Sequence, residues 1–386
     1  MQQKKVLIIS PVPTHPQNAG NRARVFCLAS ALSAIGCEVH FLFTGHEPGD
    51  LGAMKKYWQD RFYSFAGPYQ SAALPSRLQR LSCFFQYSRI ERTYNIPVDA
   101  WYYSGLDSFI SELQKKHCYD IVVVEYIFLS KALLLFSPQA RKIIDTHDIF
   151  TNRFQLYLNN NQAPQWFSTY RAEEEKALNR ADVVIAIQKH EKDYFASRVA
   201  KKVVQVGHLL SVRCSPKEHF EKTLLFVAST NPINVEAINF FLEQVFQKLL
   251  LTHPDTKLII AGSICTVLAK REQVVLWGEF DDPQEIYDAA DIVINPVQFG
   301  TGINIKTIES LCYAKLLVTT TPATNGLEDG RNKAFLVADT ANEFVTALSG
   351  LMENAGQRDI LQRNAEAFMR DYQQYNMRQL QAALTL

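Results

Sequence analysis

Along the chain, short runs of β-branched and aliphatic residues alternate with longer stretches whose apolar positions recur every three or four residues. The runs KVLII, EVHFLF, DIVVV, KIID, DVVIAI and KVVQV fall in the first half, with a helical pattern over Gly20 to Ile35 between the first two. They are continuous rather than alternating, as strands of a parallel sheet covered on both faces must be. After VVQVG, the segment His208 to Lys222 loses periodicity and gains charge, the mark of a connection between domains. A second series follows: TLLFVAS, then a stripe of Val235, Ile238, Phe241, Leu242, Val245, Phe246 and Leu249 at helical spacing, then KLIIAG, VVLWG, DIVIN, LLVTT and AFLVA. From about Glu343 to the end the pattern is helical and amphipathic. Trp58 to Tyr103 is irregular and rich in aromatics, read either as an insertion that shapes a cleft or as two helices packed into the core. The alternation predicts an α/β chain of two Rossmann-like doubly wound domains. The expected bounds are 1–207 for the first domain, 208–222 for a linker, 223–365 for the second and 366–386 for a helical tail that packs back on the first.

A length of 386 residues agrees, since it exceeds what one hydrophobic core usually serves. Forty basic and thirty-nine acidic residues leave a net charge of +1, which removes any global electrostatic case for a nucleic-acid partner. The seven cysteines (27, 37, 83, 118, 214, 265 and 312) are scattered and form no CxxC pair, so neither a disulfide framework nor a zinc ribbon is indicated. The opening MQQKKVLIISPVPTH imitates a secretion signal, but its apolar run is only Val6 to Ile9 and reads better as a first strand. No run approaches the roughly 18 apolar residues of a membrane span. The expectation is a cytoplasmic protein, soluble or at most peripheral at the inner face of a membrane.

The candidate chemistry centres on NPVQFGTGINIKTIESL, Asn295 to Leu311. It matches neither GxGxxG nor the P-loop pattern, because its glycines stand at 300 and 302 and its lysine at 306. It does follow a strand and open a helix, the place where backbone N–H groups receive an anion. Gly300 and Gly302 let the backbone approach a ligand, and Lys306 and Glu309, three apart, share a helix face. A carboxylate beside a phosphate site needs donors, and ribose hydroxyls supply them, so diphosphate plus ribose points to a nucleotide. The bland alternative is an exposed structural pair. In the first half, PVPTHPQNAGNRARVF places Gly20, Asn21 and Arg22 at a helix start, and KIIDTHDIF ends a strand in Asp145, His147 and Asp148. Glu125, ending DIVVVEY, is a further candidate for the rim.

These residues carry a resemblance. ADIVINPVQFGTGINIKTIESLCYAKLLVTT followed by Gly326-Leu327, with FVASTNPINVEAINFF, HPDTKLIIAG and GEFDDPQEIYDAAD before it, resembles the donor-binding domain of family 4 glycosyltransferases. The first domain agrees more loosely, through its loop after strand one and through DTHD. The resemblance implies a GT-B fold, two Rossmann-like domains facing a central cleft, and retaining transfer from a nucleotide-sugar donor to a glycan or lipid-linked acceptor, with no other cofactor and no metal. It implies that Glu309 binds the donor ribose, that Lys306 and the backbone of Gly300, Thr301, Gly302, Ile303 and Asn304 face diphosphate and sugar, and that His147 lies beside the sugar. Gly20, Asn21 and Arg22 would contribute from the first domain, and Ser229 and Asn231 from the loop after the second domain's first strand.

Two departures stand out. The first glutamate of the family's paired-glutamate motif is replaced by Thr301, and the loop Ala228 to Asn234 lacks the basic residue that relatives often carry there. A noncatalytic GT-B-like subunit is therefore the first rival. A nicotinamide-dependent dehydrogenase fits poorly, because the loop after strand one is not glycine-patterned in the required way. A dimetal phosphoesterase lacks its HxH ligands, and Asp281-Asp282 before a proline reads as a turn rather than a metal motif.

Overall fold

The computed structural model describes residues 3–67, 87–160, 162–164, 166–213, 219–280, 282–299 and 304–385. Within them the continuous apolar runs form two parallel sheets. The first comprises β1 (Lys5–Ser10), β2 (Glu38–Phe43), β3 (Phe62–Ser64), β4 (Ile121–Glu125), β5 (Arg141–Asp145), β6 (Val183–Ala186) and β7 (Lys202–Gln205), in the order β3-β2-β1-β4-β5-β6-β7. The second comprises β8 (Thr223–Val227), β9 (Lys257–Ala261), β10 (Val274–Gly278), β11 (Ile292–Asn295), β12 (Leu316–Thr319) and β13 (Leu336–Val337), in the order β10-β9-β8-β11-β12-β13. Each order reverses once, between β1 and β4 and between β8 and β11. Those are the switch points where open parallel sheets leave room for a ligand beyond the strand ends.

The strands of the second sheet feed two apolar layers, as period-two side-chain alternation demands. Leu224, Phe226, Leu258, Ile260, Ile292 and Ile294 pack with Ile238, Phe241, Phe246, Phe344 and Leu348. Their neighbours Leu225, Ile259, Val293 and Leu317 pack with Ile286, Tyr287, Ile308, Leu311 and Met369. Fully burying one such side chain contributes roughly 1.5–3 kcal/mol, so a sheet covered on both faces secures the strand ends that bear the site. The apolar stripe from Val235 to Leu249 forms one continuous helical run, with a π-helical turn at Phe241–Phe246 between α-helical Pro232–Phe240 and Gln247–Thr252. The π turn rotates the stripe so that Phe241, Leu242, Val245 and Phe246 all stay buried.

Two compact units result. One contains Met1–His15, Leu28–Val206 and Gln379–Leu386, the other Pro16–Cys27 and Gly207–Arg378. In the first, the last turn of the Ala355–Leu384 helix presents its carbonyls to three cations: Lys4 donates to Leu384 (3.3 Å), Arg141 to Ala383 (3.2 Å) and Lys202 to Ala382 (2.5 Å). Positive charge there satisfies unpaired carbonyls and complements the helix dipole. The aromatic stretch after Trp58 lies partly outside the described residues. It contributes the edge strand β3 and, past residues 68–86, which lie outside the described residues, a short helix at Arg89–Tyr94 and a 3-10 turn at Val98–Trp101. With three residues, β3 is too brief to leave a periodic signal.

Candidate functional site

The switch point of the second sheet is built from polar residues at strand ends. β8 runs out into Ala228 to Asn231, and Asn231 caps the following helix, its side-chain oxygen accepting from the Ile233 N–H at 3.0 Å. One turn in, the buried Asn234 donates through Nδ2 to the carbonyl and hydroxyl oxygens of Ser229, at 3.1 and 3.2 Å. Its Oδ1 is thereby turned toward Lys306, whose Nζ donates to it at 3.0 Å. Lys306 also lies 5.7 Å from the centre of the Phe226 ring, a cation over an aromatic face. The lysine is thus placed by strand β8 and its loop as much as by its own helix.

That helix, Ile305–Cys312, starts at Asn304, whose backbone is extended and whose side chain makes no cap bond. Among the described residues, its first-turn N–H groups are met by no side-chain oxygen of Asn304. Its seat is rigid. Asn295, the last residue of β11, donates to the Thr307 hydroxyl at 3.0 Å, and that hydroxyl donates to the Ala323 carbonyl at 2.9 Å. Thr319 bonds the Asn295 carbonyl at 3.1 Å and Thr320 bonds that of Val297. These four residues were not singled out from the sequence. For Asn295, Thr319 and Thr320 the only signal is a polar residue at or just past the end of an apolar strand.

Lys306 and Glu309 are both half-buried. Burial lowers the Lys306 ammonium to about 8, with Glu309 opposing, and pushes the Glu309 carboxyl up to about 7, with Lys306 opposing. The lysine is paired with Asn234 rather than held in an exposed ion pair with Glu309. A half-desolvated cation and carboxylate, each titrating near neutrality, are suited to a ligand that brings both an anion and hydroxyl donors. Gly300, Thr301, Gly302 and Ile303 lie outside the described residues, as does Asp281.

Gly20, Asn21 and Arg22 open the Gly20–Ala34 helix, in the segment grouped with the second unit. A Cβ on Gly20 would come within 3.2 Å of Ile305 Cδ1, so glycine is what lets this helix start lie against the start of the Ile305–Cys312 helix. Arg22 donates to Asn18 Oδ1 at 3.2 Å, and its N–H to Asn21 Oδ1 at 2.9 Å. Arg24, on the same helix, is buried and donates to the Gly207 carbonyl at 3.1 Å, which makes it a structural residue.

In the first unit, Glu125 and Asp145 end the adjacent strands β4 and β5 in register with each other, and both are buried. Two residues beyond, His147 has a left-handed backbone (φ +62°), as does Tyr126 beyond Glu125 (φ +66°). These turns bring His147 Nε2 to 2.5 Å from Glu125 Oε2 and 3.8 Å from Asp145 Oδ2, with the imidazole stacked 4.0 Å above the Tyr126 ring. Among the described residues this trio is the group compact enough to hold a metal ion, one ligand atom from each lying within 4.8 Å of the others. Nε2 is committed to Glu125, so the arrangement reads as a hydrogen-bonded dyad. Glu125 stands behind the histidine rather than on an open rim. Asp148 is engaged by Arg153 Nε at 2.7 Å.

Comparison with known proteins adds a family match over part of the chain, and the fold. Residues 221–354 match the family model described as "Glycosyl transferases group 1". A Klebsiella pneumoniae protein described as an "Uncharacterized 44.6 kDa protein in cps region" is 20% identical, over 95% of this chain and 96% of its own length. Among solved structures, a mutant of S. aureus TarM in complex with Fondaparinux, alpha-GlcNAc-glycerol and UDP superposes with a TM-score of 0.67 at 12% identity, covering 100% of both chains. Sucrose-phosphate synthase from Thermosynechococcus elongatus gives 0.66 at 13% identity, covering 98% of both. No described helix is long and apolar enough to cross a membrane. The chain therefore has the GT-B-like two-domain α/β architecture, and over residues 221–354 it is related to the group 1 glycosyl transferases.

Proposed function

We propose that the protein is a retaining glycosyltransferase that moves a sugar from a nucleoside-diphosphate donor to a glycan or lipid-linked acceptor. The observation that carries this reading is the Lys306–Asn234 contact at the switch point of the second sheet, with Glu309 one turn behind, inside the segment that matches the glycosyl transferase model. In this reading the diphosphate sits at the start of the Ile305–Cys312 helix, where Lys306 and backbone N–H groups stabilise the charge that grows on the leaving group. Glu309 accepts from the ribose hydroxyls. His147 orients the sugar or the acceptor. Retention by front-face attack asks for no protein nucleophile, since the departing phosphate can take the acceptor proton. UDP in the TarM structure favours a uridine nucleotide as the donor.

Thr301, where the family's first motif glutamate would stand, favours one rival: a noncatalytic subunit that binds a nucleotide without turning it over. A thermal-shift panel of UDP, GDP, ADP and their sugars separates the cases when followed by transfer assays. The expected result is a raised melting temperature with one nucleotide, followed by transfer of its sugar. If no nucleotide raises the melting temperature, the donor site is misread; binding with no transfer to any glycan or lipid acceptor selects the noncatalytic subunit.

A further inference from the structure

We infer that Glu125 is a positioning residue that fixes His147 in its Nε2–H tautomer and leaves Nδ1 as a hydrogen-bond acceptor for a substrate hydroxyl. The hydroxyl belongs to the sugar or acceptor and rests on the glycosyltransferase reading. The tautomer does not.

The geometry points one way. A carboxylate only accepts, so a 2.5 Å contact between Glu125 Oε2 and His147 Nε2 places the shared proton on the nitrogen. A proton on Glu125 instead would leave the Nε2 lone pair 3.8 Å from a second carboxylate oxygen, that of Asp145, with no positive end between them. Both carboxylates therefore favour hydrogen on Nε2. In a neutral imidazole the other nitrogen, Nδ1, then carries the lone pair, and none of the described residues hydrogen-bonds to it.

The ring is also held more firmly than packing alone requires. His147 and Tyr126 both adopt left-handed backbone conformations that cost non-glycine residues about 1 kcal/mol or more each. The two rings lie nearly parallel, at 10° and 4.0 Å. Strand register aligns Glu125 with Asp145 independently of either turn. Carboxylate, stacked ring and backbone thus set one imidazole orientation three times over. His208, by contrast, is fully buried with neither ring nitrogen hydrogen-bonded, as befits a histidine that only fills space. An Nδ1 lone pair aimed at a hydroxyl aligns that oxygen and draws on its proton without taking it, which suits a reaction in which the leaving phosphate is the final base.

The test is long-range 1H–15N NMR of the full-length protein with 15N-histidine, the His147 signals being assigned by their loss in His147→Gln. Recorded where the imidazole is neutral, the expected wild-type spectrum has a protonated Nε2 and an unprotonated Nδ1. In Glu125→Gln the side-chain amide can donate to Nε2, so the Nδ1–H tautomer should grow, and sugar transfer should lose about a hundredfold in kcat with donor KM little changed. An Nδ1–H tautomer in the wild type overturns the assignment, whether or not any sugar is transferred, and so does an unchanged tautomer in Glu125→Gln. Loss of the Nε2 proton on adding one equivalent of Zn2+ gives the trio to a metal and overturns it as well. The expected tautomer shift with kcat unaltered overturns the hydroxyl contact alone.

Discussion

Two residues set the chemistry of the proposed donor site, and their titration gives it a pH window. Lys306 holds its charge up to about 8 and Glu309 becomes a carboxylate above about 7. A nucleotide-sugar stays fully ionised across this range, so its affinity should peak between the two values, falling on the alkaline side as the ammonium loses its proton and on the acid side as the carboxyl gains one. Calorimetric titration from pH 6 to 9 checks this: Lys306→Met should flatten the alkaline limb and Glu309→Gln the acid limb. Each variant should weaken binding about 10–100-fold, as loss of a hydrogen bond to a charged group does, with the melting temperature of the free protein little changed. His208 makes a separate prediction about stability. Burial, reinforced by the Arg24 cation, lowers it to about 3 from the usual 6.5. Its native form is neutral, so this contribution is whole above 6.5. It is lost as acidification protonates the unfolded chain but not the folded one, by at most about 1.4 kcal/mol per pH unit. Urea unfolding at pH 7 and 5 should show His208→Leu losing less stability on acidification than the wild type. Equal losses would mean the histidine takes up its proton when folded.

At the scale of elements, the site depends on the turns that follow β8 and β9. Gly262, just past β9, has φ +101°, and a Cβ there would stand 2.2 Å from the Ala228 carbonyl oxygen, which is backbone and cannot swing aside. Gly262→Ala should therefore cost roughly 2–3 kcal/mol or more, read as a lower urea midpoint with unchanged slope, and should displace the loop that holds Asn234. A midpoint within experimental error of wild type would show that the turn has slack. Most elements were legible from hydrophobic pattern alone: the apolar runs are the strands, and the stripe ending at Leu249 is a helix, though its π turn left no mark in the spacing. Harder to read were the elements made by packing. Ile127–Leu135 is a nine-residue 3-10 stretch that is mostly aliphatic and in which even Leu134 is exposed, so no alternation of polar and apolar positions betrays its period. The site was legible in part. Lys306, Glu309 and His147 stood out by position after strands, whereas the Asn234 contact and the Glu125–His147 dyad join residues 72 and 22 apart through sheet register, which a sequence does not display.

For the whole molecule, two sheets whose orders each reverse once supply two switch points, one bearing Lys306 with Asn234 and the other flanked by the Glu125–His147 dyad. Pro16–Cys27, read from sequence as part of the first domain's opening loop and helix, groups by its contacts with the second unit, where Gly20 packs on Ile305. The central claim is that this chain breaks a sugar–diphosphate bond by means of Lys306. Its most direct test is nucleoside diphosphate release from a panel of UDP-, GDP- and ADP-sugars, with and without glycan and lipid acceptors, comparing wild type with Lys306→Ala. The account predicts release from one nucleotide class, acceleration by an acceptor, and a fall of about tenfold or more in the variant. Release from no donor by the folded protein, or equal release by the variant, would contradict it.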